Sequence, residues 1–215
     1  MIKRLFAVVV CLFALLLMCG CDGYRETDNC YIVSAIGFDA GEKMKIFVEV
    51  VATGGGERSS APTAEIISGE GDTPENAMFL LTGQTSKILM FDHCTALVIG
   101  ESVKAENFKK ITDYANRLKE INPAVYMVRT ETAEKLLGES QPISVARGFD
   151  IAGNIRETEN DTGIRYENRF FELFAAYKNK RLYKIPFLTV KKGRIIIDGE
   201  AVYDQNEKKD FLSNE

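Results

Sequence analysis

Few side chains in this sequence could carry hydrolytic chemistry. His93 is the only histidine, so a Ser-His-Asp or Cys-His site would have to use it. Asp92 precedes it directly, but the surrounding pattern predicts a strand, and consecutive strand side chains point to opposite faces of a sheet. We therefore expect His93 to be a strand-edge or core histidine bonded to the backbone. The sequence predicts no catalytic residue.

Metal and phosphate sites are also poorly supported. One histidine with the scattered Cys30 and Cys94 does not give the ligand spacing of a zinc site. These two cysteines could form a disulfide or remain buried reduced thiols. Gly54-Gly55-Gly56 is not followed by Gly-Lys-Ser/Thr, so it is interpreted as a loop rather than a phosphate cradle. We expect no metal and no cofactor.

Two further patterns in the second half have ordinary structural interpretations. The acidic run from Glu157 to Asp161 resembles a calcium loop, but Gly163 comes one place late and position twelve is Asn168 instead of Glu. We interpret this run as a solvated linker. An aromatic row on helical spacing is interpreted as the core face of a helix. Its members are Phe170, Phe171, Phe174 and Tyr177.

The amino terminus carries one predicted covalent modification. Two basic residues precede an unbroken apolar run from Leu5 to Met18, which is typical of a secretory signal and too short to span a bilayer comfortably. Gly20 followed by Cys21 resembles the lipobox of bacterial lipoproteins, which implies cleavage before Cys21 and a diacylglyceryl group on its thiol. We predict a signal peptide at 1–20, lipidation at Cys21 and a polar tether at 21–29. The alternative is an ordinary signal or an uncleaved helix.

The remaining 195 residues are acidic overall. Without the signal, 25 basic and 31 acidic side chains remain, so the formal net charge is −6. No basic stripe is present, which argues against nucleic acid as a partner because phosphate contacts need clustered Lys and Arg. No second apolar stretch approaches spanning length, so we expect a soluble body that is tethered to the membrane.

Strand and helix patterns alternate through a predicted first domain at 30–138. Its first helix has Asp72 or Thr73 as N-cap, with Glu75 placed to close a capping box with Asp72. Leu80 and Leu81 should lie on the buried face of that helix, together with Ala77. The predicted strands are 31–38 and 44–52, which form a hairpin, followed by 65–68, 88–91, 95–99 and 125–128. One later helix is predicted to follow Gly100, and another covers 130–137 and is stopped by Gly138.

A polar segment at 139–148 is the predicted linker to a second domain at 149–215. That domain contains a short helix over 149–156, a helical spacing over 164–177 and a hairpin of strands 185–190 and 194–203. Residues 204–215 are mostly polar and are expected to fray. The predicted fold class is therefore α+β, with mixed sheets and packed helices in two small domains.

Several short motifs, taken in order, resemble the Ger(x)C-type spore germination lipoproteins, which are the C subunits of germinant receptors. Each motif is short, but together, and in this order, the motifs extend over nearly the whole chain. They are Arg25-Glu26, Asp28, Ile36-Gly37-Phe38-Asp39, Gly69-Glu70-Gly71 with Thr73 and Ala77, His93 followed by Leu97-Val98-Ile99-Gly100-Glu101, Gly199-Glu200-Ala201-Val202-Tyr203, and Phe211-Leu212-Ser213 with Glu215.

The resemblance implies a lipoprotein on the outer face of the spore inner membrane. It would be held to membrane lipid through Cys21 and assembled with two integral membrane subunits of the germinant receptor. Members of that family continue into a third, C-terminal domain, so the resemblance implies that this domain is missing here. Two alternatives remain open: an extracytoplasmic solute-binding lipoprotein of a transporter, disfavoured because two similar α/β lobes are absent, and a truncated, non-functional fragment.

Overall fold

The computed structural model describes residues 29–52, 63–118, 120–204 and 207–213, together with residues 3, 4 and 6. Within these residues the fold is α+β, with nine strands in one mixed sheet and five helices. The predicted fold class is therefore confirmed. Cys21 and Gly54-Gly55-Gly56 lie outside the described residues. In the described part of the chain, no helix has both the length and the apolar character needed to cross a membrane.

The elements follow one another in the order β1-β2-β3-α1-β4-β5-α2-β6-α3-α4-α5-β7-β8-β9. The strands are β1 (Cys30–Ala40), β2 (Met44–Ala52), β3 (Thr63–Gly71), β4 (Ile88–Met90), β5 (Ala96–Gly100), β6 (Tyr126–Thr130), β7 (Tyr183–Lys191), β8 (Arg194–Asp204) and β9 (Glu207–Ser213). The helices are α1 (Pro74–Thr82), α2 (Ala105–Arg117), α3 (Ala133–Glu139), α4 (Arg147–Thr162) and α5 (Phe170–Lys178).

The sheet has a parallel centre and antiparallel ends. Its strand order is β3-β2-β1-β5-β6-β7-β8-β9, and β4 pairs beside the start of β1. The parallel pairs are β1 with β4 and β5, β5 with β6, and β6 with β7. The two predicted hairpins, β1–β2 and β7–β8, are confirmed. Parallel strands start at the same edge of a sheet, so β1 and β7 both begin at one edge.

Helices cover both faces of the sheet, which explains why its central strands are almost wholly buried. One core cluster packs α1, α2 and α5 against side chains such as Phe38 and Ile99. The other packs α3 and α4 against the opposite face, around Val98 and Val128. The apolar face of α2 that packs on the sheet includes Phe108 and Ile111 among its buried residues.

The sheet continues across the predicted linker at 139–148. Arg129 of β6 pairs with Phe187 of β7, so strands from the two predicted domains are neighbours. The division at this linker, with domains at 30–138 and 149–215, stays a prediction.

The N-cap of α1 is one of the two predicted residues, but its capping box and the exposure of Leu80 differ from the prediction. Thr73 is the N-cap and accepts the backbone N–H of Asn76 at 3.2 Å, whereas the capping box of Asp72 with Glu75 is not formed. Glu75 instead pairs with Arg117 of α2. Leu80 is 52% exposed, because the helix turns about 100° per residue and its buried side runs through Ala77, Met78 and Leu81.

Two later helices differ from the prediction. α3 begins at Ala133 instead of Thr130 and continues past Gly138 to Glu139. α4 takes in the acidic run from Glu157 to Asp161, so the interpretation of that run as a linker is wrong. One buried stripe with Ile151 and Ile155 is enough to hold this otherwise polar helix on the sheet. The helix ends at Gly163, whose φ of 69° gives the left-handed cap that favours glycine.

The carboxyl-terminal segment is a strand over 207–213, and there the expectation of fraying is wrong. β9 pairs antiparallel with β8 along the edge of the sheet. The ring of Phe211 meets the ring of Phe187 edge to face, with centroids 5.4 Å apart. A mostly polar edge strand has no strong local pattern, because its stability comes from pairing with a neighbour that the sequence pattern does not reveal.

Candidate functional site

His93 and Asp92 lie on an open turn between β4 and β5. Their Nε2 and Oδ2 atoms are 3.9 Å apart, and their side chains are 60% and 54% exposed. Both expectations about His93 are therefore wrong: the residue is not in a strand and is not buried. An exposed side-chain contact at this distance contributes little to stability.

Cys30 and Cys94 are buried thiols that are not joined in a disulfide. The Cys94 thiol donates to the carbonyl oxygen of Ala96 at 3.6 Å. Burial raises the pKa of Cys94 to about 12, so this side chain stays protonated at neutral pH. A protonated, buried thiol is a poor nucleophile and a poor metal ligand. Within the described residues, no group of three or more His, Cys, Asp or Glu side chains could hold a metal ion.

The carboxylate of Glu49, on β2, accepts four hydrogen bonds. It is fully buried and accepts the Ser34 hydroxyl at 2.6 Å and the backbone N–H of Gly148 at 2.8 Å. Arg147 adds its backbone N–H at 2.9 Å and its guanidinium at 3.0 Å. A negative charge at a helix amino terminus is favourable, since it satisfies the free N–H groups and the helix dipole. Glu49 therefore fixes the start of α4 to the sheet.

A second carboxylate does the same for α3. The two Asp39 oxygens accept the backbone N–H groups of Ala133 at 2.9 Å and Glu134 at 3.0 Å. Burial raises the pKa of Asp39 above its usual value, and these two hydrogen bonds oppose the shift. Gly100 packs directly against the Asp39 carboxylate. A Cβ atom at position 100 would lie only 1.8 Å from an oxygen of that carboxylate.

Arg129 is the third buried charged group. Its guanidinium lies between the rings of Phe108 and Tyr203, 5.0 and 4.6 Å from their centroids, and donates to the carbonyl oxygens of Gly100 at 2.9 Å and Val103 at 3.1 Å. Burial lowers the pKa of Arg129. Sequence reasoning singled out none of these roles, because the partners are distant along the chain. They position helices and strands, and we assign them no chemistry.

The aromatic row on α5 is only partly a core face. Phe170 is buried, but Phe171 is 49% exposed, and the buried side of the helix continues through Leu173 and Ala176. Phe171 lines a groove of about 620 Å³ between α5 and the start of β7. Exposed Ile164 and Leu182 line the same groove, so large apolar side chains gather at the surface there.

A cluster of cations borders this groove. The cations are Lys178, at the end of α5, and Lys180 and Arg181, which follow it before β7 begins. We call these three residues, together with the adjacent Leu182, the basic end. All four are exposed, and Lys178 lies over the Phe174 ring with its Nζ 5.0 Å from the centroid. Sequence reasoning overlooked this cluster in finding no basic stripe, although residues 173–197 contain seven Lys or Arg and no Asp or Glu. The basic end lies at the edge of the sheet where β1 begins. The first residue of β1, Cys30, comes nine residues after Cys21 in the sequence.

A model of the protein family described as the spore germination protein N-terminal domain matches residues 23–190. Among solved structures, the chain matches one titled "Crystal Structure of the GerBC protein", with 13% sequence identity and a TM-score of 0.41. The match covers 83% of this chain and 51% of that one, so this chain spans about half the length of the GerBC chain. No curated protein matches.

Proposed function

Because the chain belongs to the family of the spore germination protein N-terminal domain, we propose that it is the lipid-anchored subunit of a spore nutrient germinant receptor. The family match over residues 23–190 is the observation that carries the proposal, and it confirms the resemblance to the Ger(x)C type. That resemblance supplies the location, the outer face of the spore inner membrane, and the partners, the integral membrane subunits of the receptor.

The anchor is Cys21. Its two acyl chains would hold the protein on the membrane, where one chain alone gives only marginal binding. The support for this step is in the sequence: a basic start, a short apolar run and the Gly20-Cys21 junction.

The protein acts through contacts with the membrane subunits, and the proposal assigns it no catalytic residue. The fold suits a scaffold, because one sheet runs through most of the chain and buried carboxylates fix two of its helices. Binding of a nutrient by this chain alone should be weak or absent, since sensing is assigned to the assembled receptor.

Replacement of Cys21 by Ala tests the anchor. We expect the Cys21→Ala variant to leave the membrane fraction, as judged by fractionation and immunoblotting. The matched control is Cys19→Ala, which removes a neighbouring thiol but keeps Gly20-Cys21, and it should stay in the membrane fraction with its signal cleaved. A Cys21→Ala protein that remains in the membrane with an uncleaved signal would contradict the lipoprotein assignment.

A further inference from the structure

We propose that the basic end docks on the anionic headgroups of the bilayer that holds the lipid anchor. The proposal rests on the proposed function, since it takes Cys21 to be lipidated. It goes beyond it by naming the surface that faces the membrane and the chemistry of that contact: Lys and Arg on lipid phosphates, with apolar side chains between them.

The charge of the basic end is available for a partner. Lys180 and Arg181 form no ion pair with a described carboxylate, whereas the neighbouring cations are paired, Arg165 with Glu172 and Lys184 with Glu200 at 3.3 Å. Glu167 is the remaining carboxylate of the groove. The body as a whole is acidic, so this basic cluster is a local reversal of sign. Near an anionic leaflet, each Lys or Arg strengthens binding about fivefold.

The apolar part of this surface fits the same partner. Leu182 is 66% exposed, beside the half-exposed Phe171 and the exposed Ile164. Water-exposed leucine and phenylalanine next to lysines are typical of interfacial segments, in which apolar side chains enter the headgroup layer while the cations stay at its surface.

The register of the sheet places the basic end near the anchor. Phe38 of β1 is level with Ile99, Ile99 with Arg129, and Arg129 with Phe187 of β7. Phe38 and Phe187 are thus at the same height in the sheet. Five residues before each of them are Val33 and Leu182, which are therefore level with each other. Val33 is only three residues, or about 10 Å, from Cys30 along the strand direction. β1 and β7 are separated by two strands, so the lateral distance is about 14 Å.

The tether can bridge this separation. Nine residues from Cys21 to Cys30 reach at most about 30 Å when fully extended. The lipid on Cys21 and the side chain of Leu182 can therefore meet the same membrane plane. The opposite end of β7 also carries cations, Lys192 and Arg194 in and after the β7–β8 turn, but a nine-residue strand of about 30 Å separates them from the basic end.

That turn provides a matched control. Lys180 and Lys192 are both exposed and both have a positive φ, 51° and 53°. Reversal of either charge therefore imposes the same change on the same backbone conformation. Only reversal at Lys180 should affect docking.

The experiment uses the full lipidated chain in phosphatidylcholine vesicles with and without phosphatidylglycerol. A fluorophore is attached to Ala175→Cys, which lines the groove, or to Gly41→Cys, a control site at the far end of β1 where an added Cβ meets nothing. Cys30 and Cys94 are buried and should not react with the dye. Intact mass establishes whether Cys21 carries lipid.

On anionic vesicles we expect iodide quenching at position 175 to fall several-fold, with recovery at high salt, and quenching at position 41 to stay unchanged. Lys180→Glu should abolish the protection, and Lys192→Glu should preserve it. A lipidated chain with equal quenching at 175 on both kinds of vesicle, or with protection at 41 instead, would overturn the docking alone. A mass without lipid would overturn the anchor and the docking together.

Discussion

The Glu49 carboxylate accepts the backbone N–H of Gly148 at 2.8 Å, although 99 residues separate the two along the chain. The bond joins β2, in the predicted first domain, to the start of α4, which lies at the end of the predicted linker 139–148. Ser34 and Arg147 complete the shell around the same carboxylate. The placement of α4 on the sheet therefore depends on one buried acid.

Neutralising that acid should destabilise the fold. Glu49→Gln keeps the size of the side chain but leaves Arg147, which is mostly buried, without its counter-charge and turns an amide donor toward backbone N–H groups. We expect a loss of about 3 kcal/mol in the free energy of unfolding, measured by urea denaturation. The control is Glu65→Gln on the exposed side of the edge strand β3, which should be neutral. Equal stability of the two variants would contradict this role of Glu49.

Two glycines of α4 should respond to alanine in opposite directions. A Cβ at Gly148 would lie 2.2 Å from the carbonyl oxygen of Ser34, which is backbone and cannot move freely. We expect Gly148→Ala to cost about 1–3 kcal/mol. Gly153 has open space around it, so Gly153→Ala should stabilise the helix by about 0.5–1 kcal/mol. Thermal unfolding of both variants checks the sign, and a stabilising Gly148→Ala would show that α4 does not approach the sheet so closely.

Asp39 should make a pH-dependent contribution of unusual sign for an acid. Burial raises the pKa of Asp39 in the folded protein, so between its unfolded and folded pKa values the folded state binds the proton more tightly. Its contribution therefore favours folding at acidic pH and is lost as pH rises through the folded pKa. The free energy of unfolding of the native protein minus that of Asp39→Asn should increase from about pH 7 to about pH 4. A decrease over this interval in urea titrations would contradict the assignment.

The orientation of α1 can be tested on adjacent leucines. Leu81 is fully buried and Leu80 is half exposed. We expect Leu81→Ala to cost about 2–5 kcal/mol and Leu80→Ala to stay within about 0.5 kcal/mol. Similar costs for the two changes, measured by denaturant unfolding, would mean that the helix presents a different face to the sheet.

Local patterns predicted the parts of the fold that depend on local chemistry. Runs rich in β-branched and apolar residues marked both hairpins. In the second hairpin, Lys192 and Gly193 form the turn, and both have a positive φ. The face of α1 was misassigned because the spacing of Leu80 and Leu81 fits two neighbouring orientations. Strand β9 was missed because its partner strand, and not its own composition, holds it in place.

The candidate surface was only partly visible in the sequence. The cations from Lys178 to Arg181 form a readable run, but their position beside the anchor depends on β5 and β6 lying between β1 and β7. The contacts of the buried charged groups could not be predicted for the same reason, because they also depend on the tertiary arrangement. Asp39 meets Ala133 across 94 residues, and no periodicity reports a contact of that kind.

We propose that this chain belongs to a germinant receptor and works through its membrane subunits. The most direct measurement is affinity purification of the native, tagged protein from detergent-solubilised spore membranes, with mass spectrometry of what is retained. We expect the integral membrane subunits of a germinant receptor to co-purify with it. Retention of an ABC-type permease instead, or of no membrane subunit at all, would contradict it.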